Sequence, residues 1–273
     1  MGRASAERAR AAPGGFLLAL PLLLFFASAV LWPVLDLLRS SLGREGGEAL
    51  RAVLREDRYR LALLHSVLLS AAASAGSLLL AAIPAWVLAR DDFPGKRVAR
   101  ALILLPLTFS GVMVGFLTLV MLGRVGAVPT VARFLTGAPI GSGAAYTLVG
   151  LFLAYLYFEV PRATVALESA FRRLPRDVDR AARTLGAGRW TRLRRLTIPM
   201  LAPAIRSTLA ITFSASMGSF GVALILARRF SVAPLEVYTE LTGFQNDAAA
   251  GVLCLLLAAI TLVVDRLLAR GRA

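Results

Sequence analysis

Six apolar runs, each about as long as a bilayer's hydrocarbon core is thick, constrain this chain more than anything else in it. A helix rises about 1.5 Å per residue, so roughly 20 residues cross a core of about 30 Å. The runs fall at residues 16–38, 61–89, 98–122, 144–167, 204–227 and 248–268. Hydrophobic residues make up 58% of the 273, against about 45–50% in a soluble domain. Mean hydropathy is +0.71. The expected fold class is all-α: a polytopic integral membrane protein of about six transmembrane helices forming one domain over residues 16–268.

The formal charge of +15 would suggest nucleic acid if the arginines shared one soluble face. They sit between the spans instead, where basic residues report topology and meet lipid headgroups, so no nucleic-acid partner is expected. Roughly two-thirds of the 31 Lys and Arg fall on the side of the N-terminus, which predicts both termini inside the cell membrane, with cytoplasmic tails at 1–15 and 269–273. Arg3, Arg8 and Arg10 imitate the start of a signal peptide. The apolar run behind them is too long for one, and it is taken as an uncleaved first span. A lone Cys254 and a lone His65 offer neither a disulfide framework nor a metal site, and no cofactor is expected. His65 is expected to cap or line the outer end of its span.

The other segments carry local signals. Residues 39–60 mix acids with arginines and predict an outer loop with a short helix. Pro94-Gly95 fits the centre of a type II turn. Pro106 and the pair Gly111/Gly115 are expected to interrupt the third span, and the apolar patch from Val131 to Leu135 to form a partial helix in an outer loop. Glu159, three residues before Arg162, is either a local ion pair near a span end or a proton or substrate site. Residues 228–247 are expected to be an outer loop.

One stretch, 168–203, is polar and strongly basic between apolar neighbours. Val178, Ala181, Ala182 and Leu185 fall at i, i+3, i+4 and i+7, one face of a helix. Pro175 suits the helix start and Gly186 the left-handed position that ends it. A second helix is expected from about Gly188 to Ile198, with Pro199 and Pro203 breaking it from the next span. Protruding helices with small apolar teeth look like a plug for a socket on another protein. A basic amphipathic loop lying on anionic lipid is the other reading.

Ala181-Ala182, then Gly186, then Leu196-Thr197-Ile198-Pro199 resembles the "EAA…G…I-x-L-P" loop of permease subunits of binding-protein-dependent ABC importers, the MetI-like family. Where that family usually has Glu, this chain has Arg180, and Asp179 stands one place earlier. Phe93-Pro94-Gly95-Lys96, followed by Leu104-Leu105-Pro106, is similar to the same family, without its second proline. The resemblance implies that Val178, Asp179, Arg180, Ala181, Ala182, Leu185, Gly186, Leu196, Ile198 and Pro199 couple the chain to a cytoplasmic ABC ATPase dimer, which alone binds ATP. It further implies a second permease subunit, identical or different, and a periplasmic or lipid-anchored solute-binding protein.

The spans themselves supply no energy source: there is no P-loop, buried carboxylate chain or arginine ladder in the sequence. No nucleophile–base pair or metal cluster marks an enzyme, so the chain reads as a transporter subunit. Candidate pore residues are Thr108, Ser110, Tyr155, Ser214, Ser216 and Ser219, although such hydroxyls also bond their own helices. Met217-Gly218-Ser219-Phe220-Gly221, with the segment from Pro234 to Tyr238, resembles the importer branch for polyamines, sulfate, molybdate, thiamine and ferric iron. Many sulfate and polyamine members carry an acid where Ser219 stands, which leans toward thiamine or iron. Two other classes fit the spans. An ion-coupled secondary transporter would need intramembrane ionisable groups, of which only Glu159 stands out. A non-transport scaffold leaves the loop's spacing without a reason.

Overall fold

The computed structural model describes residues 13–270, so most of the two expected tails lies outside the described residues. Within them every regular element is helical, and six helices are long and apolar enough to cross a membrane.

The first run forms α1 (Pro13–Leu42). From Leu20 on, its described side chains are mostly exposed, Leu22, Phe25 and Trp32 among them. Its main neighbours among the described residues are α2 and the last helix, which leave most of its apolar surface uncovered by the rest of the chain. The expected short helix is α2 (Arg44–Arg55), whose Ala49 and Val53 bury against Ala248, Ala249 and Leu253.

The longest helix, α3 (Asp57–Arg90), buries Ala62, Ser66, Leu69, Ala73, Ser77, Ala81, Ala85 and Leu88 at spacings of three and four. Small side chains along that stripe let a second backbone approach closely. His65 sits near its start, Nδ1 3.0 Å from the Ser231 carbonyl oxygen, lining that end of the bundle as expected.

The Pro94-Gly95 turn forms, with Gly95 at φ +85° and the Lys96 N–H donating to the Phe93 carbonyl at 3.3 Å. The third expected span is not one helix. α4 (Lys96–Leu104) runs into a tight turn at Leu105–Thr108, the chain is extended at Phe109 and Ser110, and α5 (Gly111–Leu122) starts afresh. Pro106 contributes to that interruption, but Gly111 and Gly115 do not. The segment after α5 contains α6 (Ala127–Thr136), with Val131, Phe134 and Leu135 exposed.

α7 (Leu148–Arg173) is capped by Thr147, whose hydroxyl accepts from the Gly150 N–H at 3.4 Å. It continues past the expected end at 167, so the basic loop starts at Leu174 and Glu168 belongs to the span. After α8 (Arg176–Thr184) and the single turn α9 (Arg189–Arg192), a π turn at Leu193–Thr197 leads without a gap into α10 (Ile198–Met217). The expected break at Pro199 is absent. Proline offers no N–H to the carbonyl four residues back, and the wider turn, in which the Ile198 N–H reaches the Leu193 carbonyl, absorbs the mismatch.

The fifth span, expected unbroken over 204–227, stops at Gly218 and Ser219 before α11 (Phe220–Leu226). Residues 228–247 are largely helical rather than loop: α12 (Ala233–Thr239) and a π turn at Glu240–Phe244, before α13 (Asp247–Arg270).

α3 against α7 is the most extensive helix pair. Its half toward α8 packs Ala81, Ala85, Ala163, Leu167 and Phe171 with Leu201 of α10. The other half packs Leu69, Ala73, Leu151 and Tyr155 with Val114 of α5 and Val222, Ala223 and Leu226 of α11. The two broken spans meet there. A Cβ on Gly221 would fall 2.9 Å from the Val112 nitrogen, and one on Gly115 2.9 Å from the Ile225 Cβ.

Gly221→Val is therefore expected to wedge α5 off α11. Overpacking of this kind costs about 1–3 kcal/mol. The detergent-solubilised variant should melt several degrees below the wild type, whereas Gly47→Ala, whose new methyl meets nothing within 4 Å, should not. Equal melting of all three would remove the glycine contact from the fold's stabilising interactions.

Candidate functional site

The expected helix of the basic loop is present and ends as its glycine predicts. Gly186 has φ +77°, its N–H donates to the Arg183 carbonyl at 3.0 Å, and the Ala187 N–H donates to the Ala182 carbonyl at 3.0 Å. This doubly bonded ending requires the left-handed residue. The corner is braced by Asp179, whose carboxylate receives the Arg183 guanidinium at 2.9 Å and the Arg192 guanidinium at 2.7 Å. Asp179 is thus turned onto its own chain. Arg180 points outward, with only Asp177 at 3.4 Å.

On the α8 surface Val178 and Ala181 are exposed, Ala182 is half-buried, and Leu185 is 86% exposed. Beyond the corner Leu196 is half-buried, Ile198 and Pro199 are exposed, and Trp190 is 70% exposed. An apolar, rigidly braced surface of this kind is left without a partner in the chain.

Five of the six candidate pore residues gather around the helix breaks, Ser219 within the second break itself. Thr108 ends the turn before α5, its hydroxyl bonded to the Leu105 carbonyl at 2.7 Å. Ser110 caps α5, accepting from the Met113 N–H at 3.3 Å. Tyr155, buried on α7, donates to the Ser219 carbonyl at 3.1 Å and so satisfies backbone freed by the second break. Ser216 is buried below that break, its hydroxyl without a hydrogen-bond partner among the described residues. Ser214 stands apart from these: its hydroxyl bonds the Ala210 carbonyl at 2.9 Å and reaches Asp265 of α13 at 3.1 Å.

Glu159 lies at the middle of α7 rather than near its end, because the helix extends to Arg173. It is 3% exposed and both its oxygens accept from Arg162 Nη1 at 2.7 Å, the local ion pair of the sequence reading. Arg162 remains about a third exposed. Between α7 and α10 a cleft of about 450 Å³ is lined by Ser169, Arg173, Ser207 and Thr208 among others.

Sequence reasoning missed three further acids. Glu168, buried in α7, joins Arg172 at 2.7 Å and Arg100 of α4 at 3.5 Å. Glu236 and Glu240, also buried, share Arg58, which lies 182 residues before Glu240, and Tyr59 donates to Glu240 at 2.9 Å. Asp265 was missed as well, although one acid inside an apolar run is itself a signal. The Glu236/Glu240 spacing of four was legible, but its cation was not.

The family model described as "Binding-protein-dependent transport system inner membrane component" matches residues 78–271. The molybdenum transport system permease protein ModB of Mycobacterium tuberculosis is 35% identical over 217 residues, covering 78% of this chain and 80% of that protein. ModB of Escherichia coli K12 is 31% identical over 216 residues, covering 77% and 93%. The sulfate transport system permease protein CysT of the same strain is 29% identical over 210 residues, covering 76% and 73%. Among solved structures, a chain of a bacterial alginate ABC transporter in complex with a periplasmic protein superposes with a TM-score of 0.80 at 16% identity, covering 93% of this chain and 91% of that one.

Removing one partner of a buried ion pair typically costs about 3–5 kcal/mol, whereas replacing both with apolar groups is often neutral. Glu159→Leu should therefore lower the melting temperature sharply, and Glu159→Leu with Arg162→Leu should recover much of the loss. A double variant as unstable as the single would mean that the pair does not act as a unit.

Proposed function

Since the chain belongs to the family of binding-protein-dependent transport system inner membrane components and is an ABC importer permease subunit, not itself an enzyme, we propose that it forms half of a solute path moved through α8 by a separate ATPase. The family implies an ATPase and a solute-binding protein as partners. In this reading a second permease subunit, identical or different, completes the path, and α8 and both termini face the cytoplasm. Coupling involves Val178, Ala181, Ala182, Leu185, Gly186, Leu196, Ile198 and Pro199, with Arg180 at the rim. Asp179 holds the corner rather than replacing the family's usual acid at the ATPase.

The single observation that carries this is the braced, unpartnered surface of α8, with Leu185 86% exposed beyond a glycine-dependent corner. Arg192, bonded to Asp179, leads through the π turn into α10. A displacement of α8 therefore reaches a span that breaks beside candidate pore residues.

For the solute we propose a tetrahedral oxyanion of the molybdate or sulfate type. The ModB and CysT relatives support it over the thiamine or iron lean of the Ser219 position. So does the cleft between α7 and α10. Its lining carries the Arg173 cation and the hydroxyls of Ser169, Ser207 and Thr208, donors suited to an oxyanion. Thr108, Ser110, Tyr155, Ser214, Ser216 and Ser219 remain candidates for the path's lining.

The test is uptake by cells expressing the whole importer. A left-handed backbone costs a non-glycine residue about 1–2 kcal/mol, and Gly186→Val should lose most uptake and co-purify with less ATPase while inserting normally. Gly188→Ala, at φ −62° with open space around it, should keep both. Normal uptake and co-purification in Gly186→Val would remove the coupling role. Labelled molybdate or sulfate should accumulate; accumulation of thiamine or iron alone would overturn the oxyanion assignment.

A further inference from the structure

Beside α8 the molecule has a second concave feature that the transport reading leaves unused. A cleft of about 470 Å³ runs along the lipid-facing side between α3, α7 and the start of α10, walled by residues such as Ile83, Phe171 and Leu201 and almost wholly apolar. At the α8 end it adjoins a polar cavity of about 390 Å³ lined by Arg90, Asp91, Asp179, Arg180 and Arg183. Trp86 and Thr197 line both, so the two adjoin there, a polar cavity beside an apolar cleft.

The polar half is prepared for an anion. Asp179 is taken up by Arg183 and Arg192, Arg180 has Asp177 at 3.4 Å, and Asp91 lines the cavity with Arg90, so arginines still outnumber the acids here. Arg90 ends α3, with its guanidinium 5.6 Å from the Trp86 ring centre. Its Nη2 makes one long bond to the Leu174 carbonyl at 3.4 Å, and its Nε is buried with no partner among the described residues. A tryptophan beside an arginine marks the boundary between hydrocarbon and headgroups. Basic pockets between spans at that depth suit anionic lipid headgroups.

We propose that the cavity and the cleft together hold one anionic glycerophospholipid, its phosphate against Arg90 with Arg180 at the rim and an acyl chain in the α3–α7–α10 cleft. A soluble protein segment does not fit the apolar half, because that half opens past Leu79 and Ile83, 73% and 74% exposed, into hydrocarbon. The occupant lies between α3 and α8, so it ties the loop's position to membrane composition. The assignment depends only on the chain's membrane insertion, not on the solute or the ATPase.

The test uses full-length protein with Trp32 and Trp190 changed to Phe, leaving Trp86 as the only tryptophan, in phosphatidylcholine vesicles doped with brominated lipid. Brominated phosphatidylglycerol should quench Trp86 at a mole fraction about fivefold below that needed with brominated phosphatidylcholine, the preference expected from one arginine near the surface. Arg90→Gln should abolish that preference while leaving quenching by the neutral lipid. If Arg90→Gln fails to insert, Arg180→Gln should reduce it. Ala82→Phe, which fills the cleft, should weaken quenching by both lipids. Equal quenching by both lipids in the starting protein, or an unchanged preference in Arg90→Gln or Arg180→Gln, would overturn the proposal. So would loss of the preference on adding inorganic phosphate with the Ala82→Phe variant behaving as its parent, which would mark a site for free anion alone.

Discussion

No water reaches the middle of a bilayer, so every peptide group left unpaired there must be met by another part of the protein. That constraint explains why the breaks at Phe109–Ser110 and Gly218–Ser219 meet face to face although they are far apart in sequence. Each break frees backbone groups and each finds its partners locally: the Ser110 hydroxyl caps α5, and Tyr155 donates to the Ser219 carbonyl. The glycines at 111, 115 and 221 allow α5 and α11 to come close enough to shield what is left. Irregular backbone at this depth is tolerated only where it is buried or lines a cavity. In the proposed transport reading the breaks are therefore where the path's lining is placed.

What holds them is the long contact between α3 and α7. Lipid tails are as apolar as leucine, so a helix pair in a membrane gains little from hydrophobicity alone. It gains from close packing, and the alanine and serine stripe of α3 supplies it. Ion networks then fix the two ends. Glu168 gathers Arg172 and Arg100 at the α8 end, and Arg58 gathers Glu236 and Glu240 at the other. Arg172 also donates to the Leu88 carbonyl at 3.3 Å, so the α8-end network spans α3, α4 and α7.

Much of this was legible in the sequence because its cause is local. Span count follows from run length, the α8 face from the spacing of Val178, Ala181, Ala182 and Leu185, the turn at Gly95 and the corner at Gly186 from the one residue that tolerates their backbone. The Glu159–Arg162 pair follows from a spacing of three. What was not legible depends on partners distant in the chain. Nothing near Ser219 announces that Tyr155 will accept the cost of a break there. Nothing near Glu240 names Arg58. The prolines at 199 and 203 misled for a related reason: a proline's missing donor ends a helix only if the preceding turn cannot widen, and here it widens. Glu168 was assigned to the loop because its sequence neighbours are charged, whereas those charges are the ones that neutralise it within the span.

The replacement of the family's usual acid by Arg180 takes on a different meaning once Asp179 is seen. A helix that transmits force must be stiff relative to the span it moves. The Gly186 corner is the most flexible link in that path, since a glycine has no side chain to restrict it. Asp179 bridges the corner with two guanidinium contacts, one within α8 and one to Arg192 beyond it. Arg192 leads directly into the π turn and α10. In the proposed transport cycle the acid one place early therefore serves rigidity, making α8, the corner and the start of α10 a single lever. An exposed arginine at 180 leaves the outer face of that lever basic, so a matching ATPase groove would be acidic at that point.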